Sequence, residues 1–103
     1  MADGGAGAIL GEVAATQPQV SRREAAGTVV YESGGRPFVA LTGARAEFRL
    51  RPEMVRAALR TPGTEASGRG PEWVAFEPPD ELERYDIDRL RSWFEMAARL
   101  AQG

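Results

Sequence analysis

The chain has 103 residues, with 13 basic residues that are all arginine and 15 acidic residues, so its formal net charge is −2. It contains no Lys, His, Cys or Asn. A chain of this length is expected to form one domain with one modest core. The missing residue types exclude disulfide frameworks, thiolate nucleophiles, imidazole bases, Schiff-base lysines and zinc sites built from Cys or His. The lack of Lys and Asn, together with abundant Gly, Ala, Arg and Pro, is typical of a high-GC bacterium.

The sequence predicts a soluble protein of the cytoplasm that makes no contact with a membrane. No segment approaches the roughly 20 apolar residues of a membrane span, and the N-terminus lacks the charged start and apolar run of a signal peptide. The near-balanced charge argues against a dedicated nucleic-acid binder, because such proteins usually carry a basic excess.

The first 27 residues predict one short helix and a connector. Residues 1–7 are rich in glycine, so we expect a flexible N-terminus in which Asp3 is a candidate helix cap. Apolar residues at helical spacing predict a helix over 6–16, which ends before Pro18 because a residue preceding proline avoids helical dihedrals. Residues 19–27 have no clear period and are predicted to form a connector.

Residues 28–51 have the pattern of a three-stranded antiparallel meander. Two runs of β-branched and aromatic residues are separated by Ser-Gly-Gly at 33–35, which is typical of a β-hairpin. Over 45–51, apolar and charged residues alternate, so one face of this third strand is expected to be buried and the other to meet water. The residues predicted to face inward are Ala46, Phe48 and Leu50.

The second half predicts a helix, a loop, a strand and a long final helix. A proline opens the helix over 52–60, at the position where proline is favoured, and a loop of small and polar residues follows over 61–71. Residues 72–77 form a fourth predicted strand. Asp86 is a candidate cap for a helix over 87–101 with a wide apolar stripe. In the fourth strand, Val74 and Phe76 are predicted to face one side, and Trp73 and Ala75 the other.

Four local features follow one another along the chain. They are the run GGRPFVAL at 34–41, the Pro-Glu start of the helix at 52, the run GPEWV at 70–74, and the Asp-capped terminal helix. Together they resemble the MmcQ/YjbR-like family and the related small proteins named luciferase-like. The resemblance covers roughly residues 8–101.

This resemblance implies an α+β fold in which helices cover one face of an antiparallel sheet. The family has no agreed biochemical activity, although DNA binding has been suggested for it from fold similarity. Phe38 and Ala40 match a strand that usually reads Gly-Lys-x-Phe-Ala in the family. Positions 73–74 match a Trp-Val pair that opens the late strand. The resemblance implies that all four residues are packing residues. The chain departs from the pattern at Arg36, where Lys is common, and at 94–96, where members often have Ser-Tyr. We therefore expect a single α+β domain, with an antiparallel sheet of about four to five strands and helices packed on one face.

The arginines of the third strand are the first candidate binding residues. Side chains two apart on a strand share a face, so several guanidinium groups could meet successive phosphates of a nucleic acid. The alternative, which the acidic composition favours, is a solvated face on which Glu47 pairs with its neighbours. The candidate nucleic-acid face consists of Arg36, Arg45, Arg49 and Arg51.

A second candidate site lies in the loop before the fourth strand. Arg69 stands between two glycines, and backbone amides of such a loop can bind an anion beside a guanidinium. Trp73 would supply a stacking surface for a nucleotide or another small ligand. The alternative is a flexible connector without a ligand.

Carboxylates are dense after the fourth strand, and two of them in one pocket could act as acid and base or hold magnesium. Their spacing matches no metal motif and is more typical of a solubilising acidic rim. We therefore predict no catalytic residues, no metal and no cofactor.

Taken together, these features predict a non-enzymatic binding or interaction module. The alternatives are weak DNA binding through the arginine face and small-anion or nucleotide binding near Arg69 and Trp73. A homodimer is also predicted, with Trp93 and Phe94 of the terminal helix at its interface.

Overall fold

A computed structural model of the chain describes residues 5–103. Over this range the chain forms three helices and six strands, so the predicted α+β class is confirmed with a sheet larger than expected. The elements in chain order are α1 (Ala6–Ala15), β1 (Val20–Ala25), β2 (Thr28–Ser33), β3 (Arg36–Thr42), β4 (Arg45–Arg49), α2 (Pro52–Ala58), β5 (Thr64–Ala66), β6 (Trp73–Phe76) and α3 (Arg84–Gln102).

All six strands form one antiparallel sheet in the order β1-β2-β3-β4-β6-β5. The predicted meander is confirmed as strands β2 to β4. Two of the hairpin turns consist of two residues with positive φ: Ala26 and Gly27 at 54° and 82°, and Gly34 and Gly35 at 59° and 80°. Positive φ at both positions is the type I′ geometry, which matches the twist of the flanking strands.

β3 contains one residue more than the part of β2 that it faces. Tyr31 pairs with Val39 and Glu32 pairs with Pro37, so Phe38 is the extra residue of a β-bulge. As a result, Phe38 and Val39 both face the core, and both are fully buried. The bulge also reverses the alternation of the residues that precede it in β3.

The helices pack on one face of the sheet, as predicted, and bury one apolar core. The stripe of α3 supplies Leu90 and Phe94, which have no exposed surface. The Phe94 ring meets the rings of Tyr31 and Phe38 edge-on, with centroid distances of 5.2 and 5.3 Å, an arrangement that aromatic pairs favour. The residues predicted to face inward from β4, namely Ala46, Phe48 and Leu50, are all buried.

The opposite face of the sheet, which we call the open face, carries no helix within residues 5–103. Ala40 and Ala75 lie on it, each opposite Glu47 of β4, and yet each is only 1% exposed. Their low exposure shows that the neighbouring strands shield these small side chains from water. The two predicted faces of β6 are confirmed, because Val74 and Phe76 belong to the core cluster whereas Ala75 does not.

Two segments predicted as connectors form the edge strands of the sheet. Residues 19–27 contain β1, and residues 61–71 contain β5. β1 is polar, and five of its six residues are exposed, so it has no apolar alternation. β5 has only three residues. Each edge strand is held by backbone pairing with one neighbour, which leaves little signal in the side-chain pattern.

The terminal helix begins earlier than predicted. α3 starts at Arg84, and Glu83 is its N-cap residue rather than Asp86. Asp86 is the third helical residue, and its Oδ2 accepts a hydrogen bond from the backbone N–H of Glu83 at 2.9 Å. From inside the first turn, Asp86 therefore provides an acceptor for the backbone N–H of the N-cap residue, as the acidic residue of a capping box does.

The predicted helix over 6–16 is confirmed as α1, with Gly5 as its N-cap residue. The predicted flexible segment 1–7 overlaps α1 at its last two residues, and its residues 1–4, with the candidate cap Asp3, lie outside the described residues. No helix in the described part of the chain is both long enough and apolar enough to cross a membrane.

Gly63, in the turn before β5, is required by both its backbone and its surroundings. Its φ is +85°, and a Cβ there would lie 3.2 Å from Cε1 of Phe76. Gly63→Ala is therefore expected to lower the free energy of unfolding by about 1–2 kcal/mol, measured by urea denaturation. Gly11→Ala is the matched control, because Gly11 lies within α1 and has no atom near its missing Cβ. The control should stabilise the protein by about 0.4–1 kcal/mol, and equal effects of the two substitutions would contradict this account.

Candidate functional site

The open face carries ion pairs that join neighbouring strands or the segments next to them. Arg45 of β4 bonds Glu65 of β5 at 2.6 Å, and Arg49 of β4 bonds Glu72, just before β6, at 2.8 Å. At the other edge of the sheet, Arg23 of β1 bonds Glu32 of β2 at 2.6 Å. The hydrogen bond with Glu65 is the largest influence that raises the pKa of Arg45. Most of the positive charge on this face is thus already neutralised.

Glu47 is the most enclosed charge on this face, with a side chain only 12% exposed. Its Oε2 accepts a hydrogen bond from the hydroxyl of Ser67 at 2.6 Å, and its Oε1 accepts one from Nε of Arg69 at 2.9 Å. Burial by itself would raise the pKa of Glu47. The hydrogen bonds from Ser67 and Arg69, with the charges of Arg69 and Arg45, outweigh burial and lower the pKa below its ordinary value.

These contacts fix the loop between β5 and β6 onto the sheet. The Ser67 hydroxyl also accepts a hydrogen bond from the backbone N–H of Arg69 at 3.1 Å. The Arg69 guanidinium then lies over the ring of Trp73, 5.6 Å from its centre. The predicted small-ligand residues, Arg69 and Trp73, are therefore together, but Arg69 already has a carboxylate partner in Glu47.

The four arginines predicted as a nucleic-acid face do not lie side by side. Arg45 and Arg49 lie on the open face in their ion pairs. Because of the bulge, Arg36 is turned to the helix side, where it donates to the carbonyl oxygen of Ala101 at 3.3 Å. Arg51 precedes α2 as its N-cap residue and borders a small groove between α2 and α3. One continuous phosphate-binding row is therefore not formed.

Arg36, Arg49 and Trp73 nevertheless border one depression. A shallow depression of about 480 Å³ lies at the end of the sheet where β2 turns into β3. We call it the Trp73 depression; its walls are Gly35, Arg36, Pro37, Arg49 and Trp73. Two residues predicted for nucleic acid thus share a site with one predicted for a small ligand.

Trp93 and Phe94, predicted at a dimer interface, are core residues. Phe94 has no exposed surface, and Trp93 is 7% exposed. The Arg89 guanidinium covers the Trp93 ring at 5.8 Å from its centre. Both aromatic side chains therefore pack in the core of their own chain, and Arg89 lies over the Trp93 ring.

Within residues 5–103, a concavity larger than the Trp73 depression lies on the helix side. It has a volume of about 1170 Å³ and is bordered by the start of α1, by Tyr31, Leu41 and Ile87, and by the loop 78–82. Its described lining is mainly apolar, with Arg22 at its edge. Elsewhere, no three carboxylates within residues 5–103 lie close enough together to hold a metal ion.

Sequence reasoning missed Glu47 as the centre of a network. The sequence predicts that it pairs with its neighbours on the strand, whereas its hydrogen bonds run across β6 to the loop between β5 and β6. The available signal was a single acidic residue among the outward-facing arginines of one strand.

Comparisons of the chain with family models, with curated proteins and with solved structures gave no match.

Proposed function

We propose that the protein is a non-enzymatic binding module that holds a small anion carried on a planar ring, in the Trp73 depression. The observation that carries the proposal is that Arg36, Arg49 and Trp73 border one depression, with Arg69 against the same indole. A guanidinium group recognises phosphate or carboxylate, and an indole face supports a planar ring. The two chemistries next to each other suit a ligand that has both.

The charge balance of the depression supports an anionic ligand. Among the described residues, Arg36 has no carboxylate within 4 Å, and its hydrogen bond is to a backbone carbonyl. Arg49 is paired with Glu72, but the two side chains are 32% and 50% exposed. Exposed ion pairs contribute only about 0–1 kcal/mol, so an anion with two or three charged oxygens can take the place of Glu72 at little cost.

The arrangement of the arginines supports a small ligand rather than a polymer. Two of them, Arg36 and Arg49, border the depression, which is shallow and open. Nucleic acid would need a row of available cations, whereas Arg45 is paired and Arg51 lies beside the helices. DNA binding and the family resemblance that implies it stay predictions.

The proposal is tested with three probes that separate charge from ring: ADP, inorganic pyrophosphate and adenosine. We expect ADP to bind most tightly, pyrophosphate more weakly and adenosine least. At ten times its Kd, ADP should raise the melting temperature by about 5–10 °C, because a ligand of the native state stabilises it. Fluorescence of the half-buried Trp73 should change on ADP binding.

Variants at the site give the controls. Arg36→Ala and Arg49→Ala should weaken ADP binding at least tenfold, and Trp73→Leu should reduce the preference for ADP over pyrophosphate. Arg56→Ala removes the same charge from an exposed position of α2, and Arg45→Ala does so on the open face. Neither control should alter ADP binding. No thermal shift with any probe, or an equal loss in Arg45→Ala, would overturn the proposal; tighter binding of a DNA oligonucleotide that falls with salt would favour the nucleic-acid alternative.

A further inference from the structure

The outer edge of β1 is the longest uncovered strand edge in the described part of the chain. β1 has six residues and pairs only with β2, whereas the other edge strand, β5, has three. An uncovered edge presents unpaired N–H and C=O groups that can pair with another strand. What such an edge accepts depends on which backbone groups point outward and which charges accompany them.

The turn between β1 and β2 determines which backbone groups point outward. A two-residue turn of Ala26 and Gly27 closes on the pair Ala25 and Thr28, which exchanges hydrogen bonds within the hairpin. In an antiparallel ladder such pairs alternate with pairs that direct their groups away. Alternation from Ala25 therefore directs the backbone groups of Arg22 and Glu24 toward the free edge.

The charges on the same two residues are self-complementary. Arg22 and Glu24 lie on one face of β1, 3.3 Å apart at their charged atoms, and both side chains are more than half exposed. If two β1 strands pair antiparallel about a twofold axis, placing Arg22 opposite the partner's Glu24 gives two identical contacts of opposite charge. The adjacent registers place Arg22 opposite Arg22, or Glu24 opposite Glu24, and bring like charges together.

We propose that β1 pairs antiparallel with β1 of a second copy of this chain, with Arg22 opposite the partner's Glu24. The sheet then continues from one copy into the other, and the helices of both copies lie on the same side. Arg23 faces the partner's Arg23 at the axis. This like-charge contact is offset within each copy, because Arg23 bonds Glu32 of β2 at 2.6 Å.

This interface differs from the predicted one on the terminal helix, whose aromatic side chains belong to the core. It is also independent of the proposed function, because the Trp73 depression is built from β3, β4 and β6. Failure of either proposal leaves the other standing.

The first test uses the absence of cysteine from the chain. In the proposed register the two Arg23 positions form a pair without hydrogen bonds between them, whose Cα atoms lie about 4.5 Å apart. That distance suits a disulfide. Arg23→Cys should therefore form a disulfide-linked dimer under mild oxidation.

Ala25→Cys is the matched control for the register. The two Ala25 positions would lie about 13 Å apart along the strands, too far for a disulfide. Equal cross-linking of the two variants, or none in Arg23→Cys, would overturn the proposal.

The second test exchanges the charges and measures mass by sedimentation over a concentration series. Arg22→Glu and Glu24→Arg should each weaken association at least tenfold, because like charges then face each other. An equimolar mixture of the two variants should restore it, because every contact between unlike chains is again of opposite charge. Both positions are exposed, so the melting temperature reports that each variant is folded. A wild-type chain that stays monomeric at every concentration, or a mixture that fails to associate, would contradict the proposal.

Discussion

Phe94→Ala is expected to lower the free energy of unfolding by about 3–5 kcal/mol, the usual range for an aromatic residue removed from a core. Phe94 has no exposed surface, and its ring packs edge-on against Tyr31 and Phe38 at once. The substitution therefore removes contacts to two strands and leaves a cavity between the sheet and α3. Domains of this size have a total stability of about 5–15 kcal/mol, so this one change should remove a large part of it.

Urea denaturation gives the measurement, and thermal unfolding should show a melting temperature lower by about 12 °C or more. Tyr85→Ala is the control on the same helix, because Tyr85 is 64% exposed. Its effect should stay within about 0.5 kcal/mol, as for other surface positions. A loss below 1 kcal/mol in Phe94→Ala would show that the ring is not a central contact of the core.

Glu47→Ala is expected to lower the free energy of unfolding by about 2–3 kcal/mol. The substitution removes two charge-assisted hydrogen bonds, from Ser67 and from Arg69, each of a kind that contributes about 1.5–3 kcal/mol. The expected loss corresponds to about one such bond rather than two, because the side chain of Arg69 is 42% exposed and can bond to water instead. Urea denaturation measures the loss, and a value under 0.5 kcal/mol would show that the network contributes little.

The same residue predicts a dependence of stability on pH. The pKa of Glu47 in the folded protein is lowered from the ordinary value of 4.5. Its contribution is therefore fully present above about pH 5 and is lost as the pH falls through 4.5 toward the lower folded value. Glu47→Gln lacks this titration, so its stability deficit relative to the native chain should shrink over that acidic interval. A deficit that stays constant from pH 6 to pH 3 would contradict the lowered pKa.

The fold was predictable where side chains report burial. The alternation over β4 and the apolar stripe of α3 both gave the correct faces, because one side of each element packs in the core. The edge strands β1 and β5 were not predicted, because backbone pairing with one neighbour holds them and neither has an alternating apolar face. Asp86 is wrong as the predicted cap of α3 because a carboxylate at the third helical residue also stabilises a helix start. It accepts from the backbone N–H of the N-cap residue, Glu83, whereas a cap accepts from an N–H inside the first turn.

The residues of the candidate site could be predicted from the sequence, but which of them lie together could be predicted only in part. The sequence placed Arg69 beside Trp73 because the two are close in the chain, and the structure brings them into contact. It grouped Arg36 with Arg45 because Arg36 lies nearby on the predicted hairpin. The extra residue Phe38 places Arg36 on the helix side instead, because a bulge changes the face to which every earlier residue of the strand points.

The bulge links the end of α3 to the Trp73 depression through Arg36. It turns Arg36 so that its guanidinium donates to the carbonyl oxygen of Ala101 in the last turn of α3, while the same residue borders the Trp73 depression. A ligand that draws this group toward itself withdraws a hydrogen-bond donor from the end of the helix. By thermodynamic reciprocity, whatever strengthens the contact of Arg36 with the helix end weakens the ligand by the same free energy. If the proposed site binds an anion, the carboxyl end of α3 therefore competes with that anion for the guanidinium of Arg36.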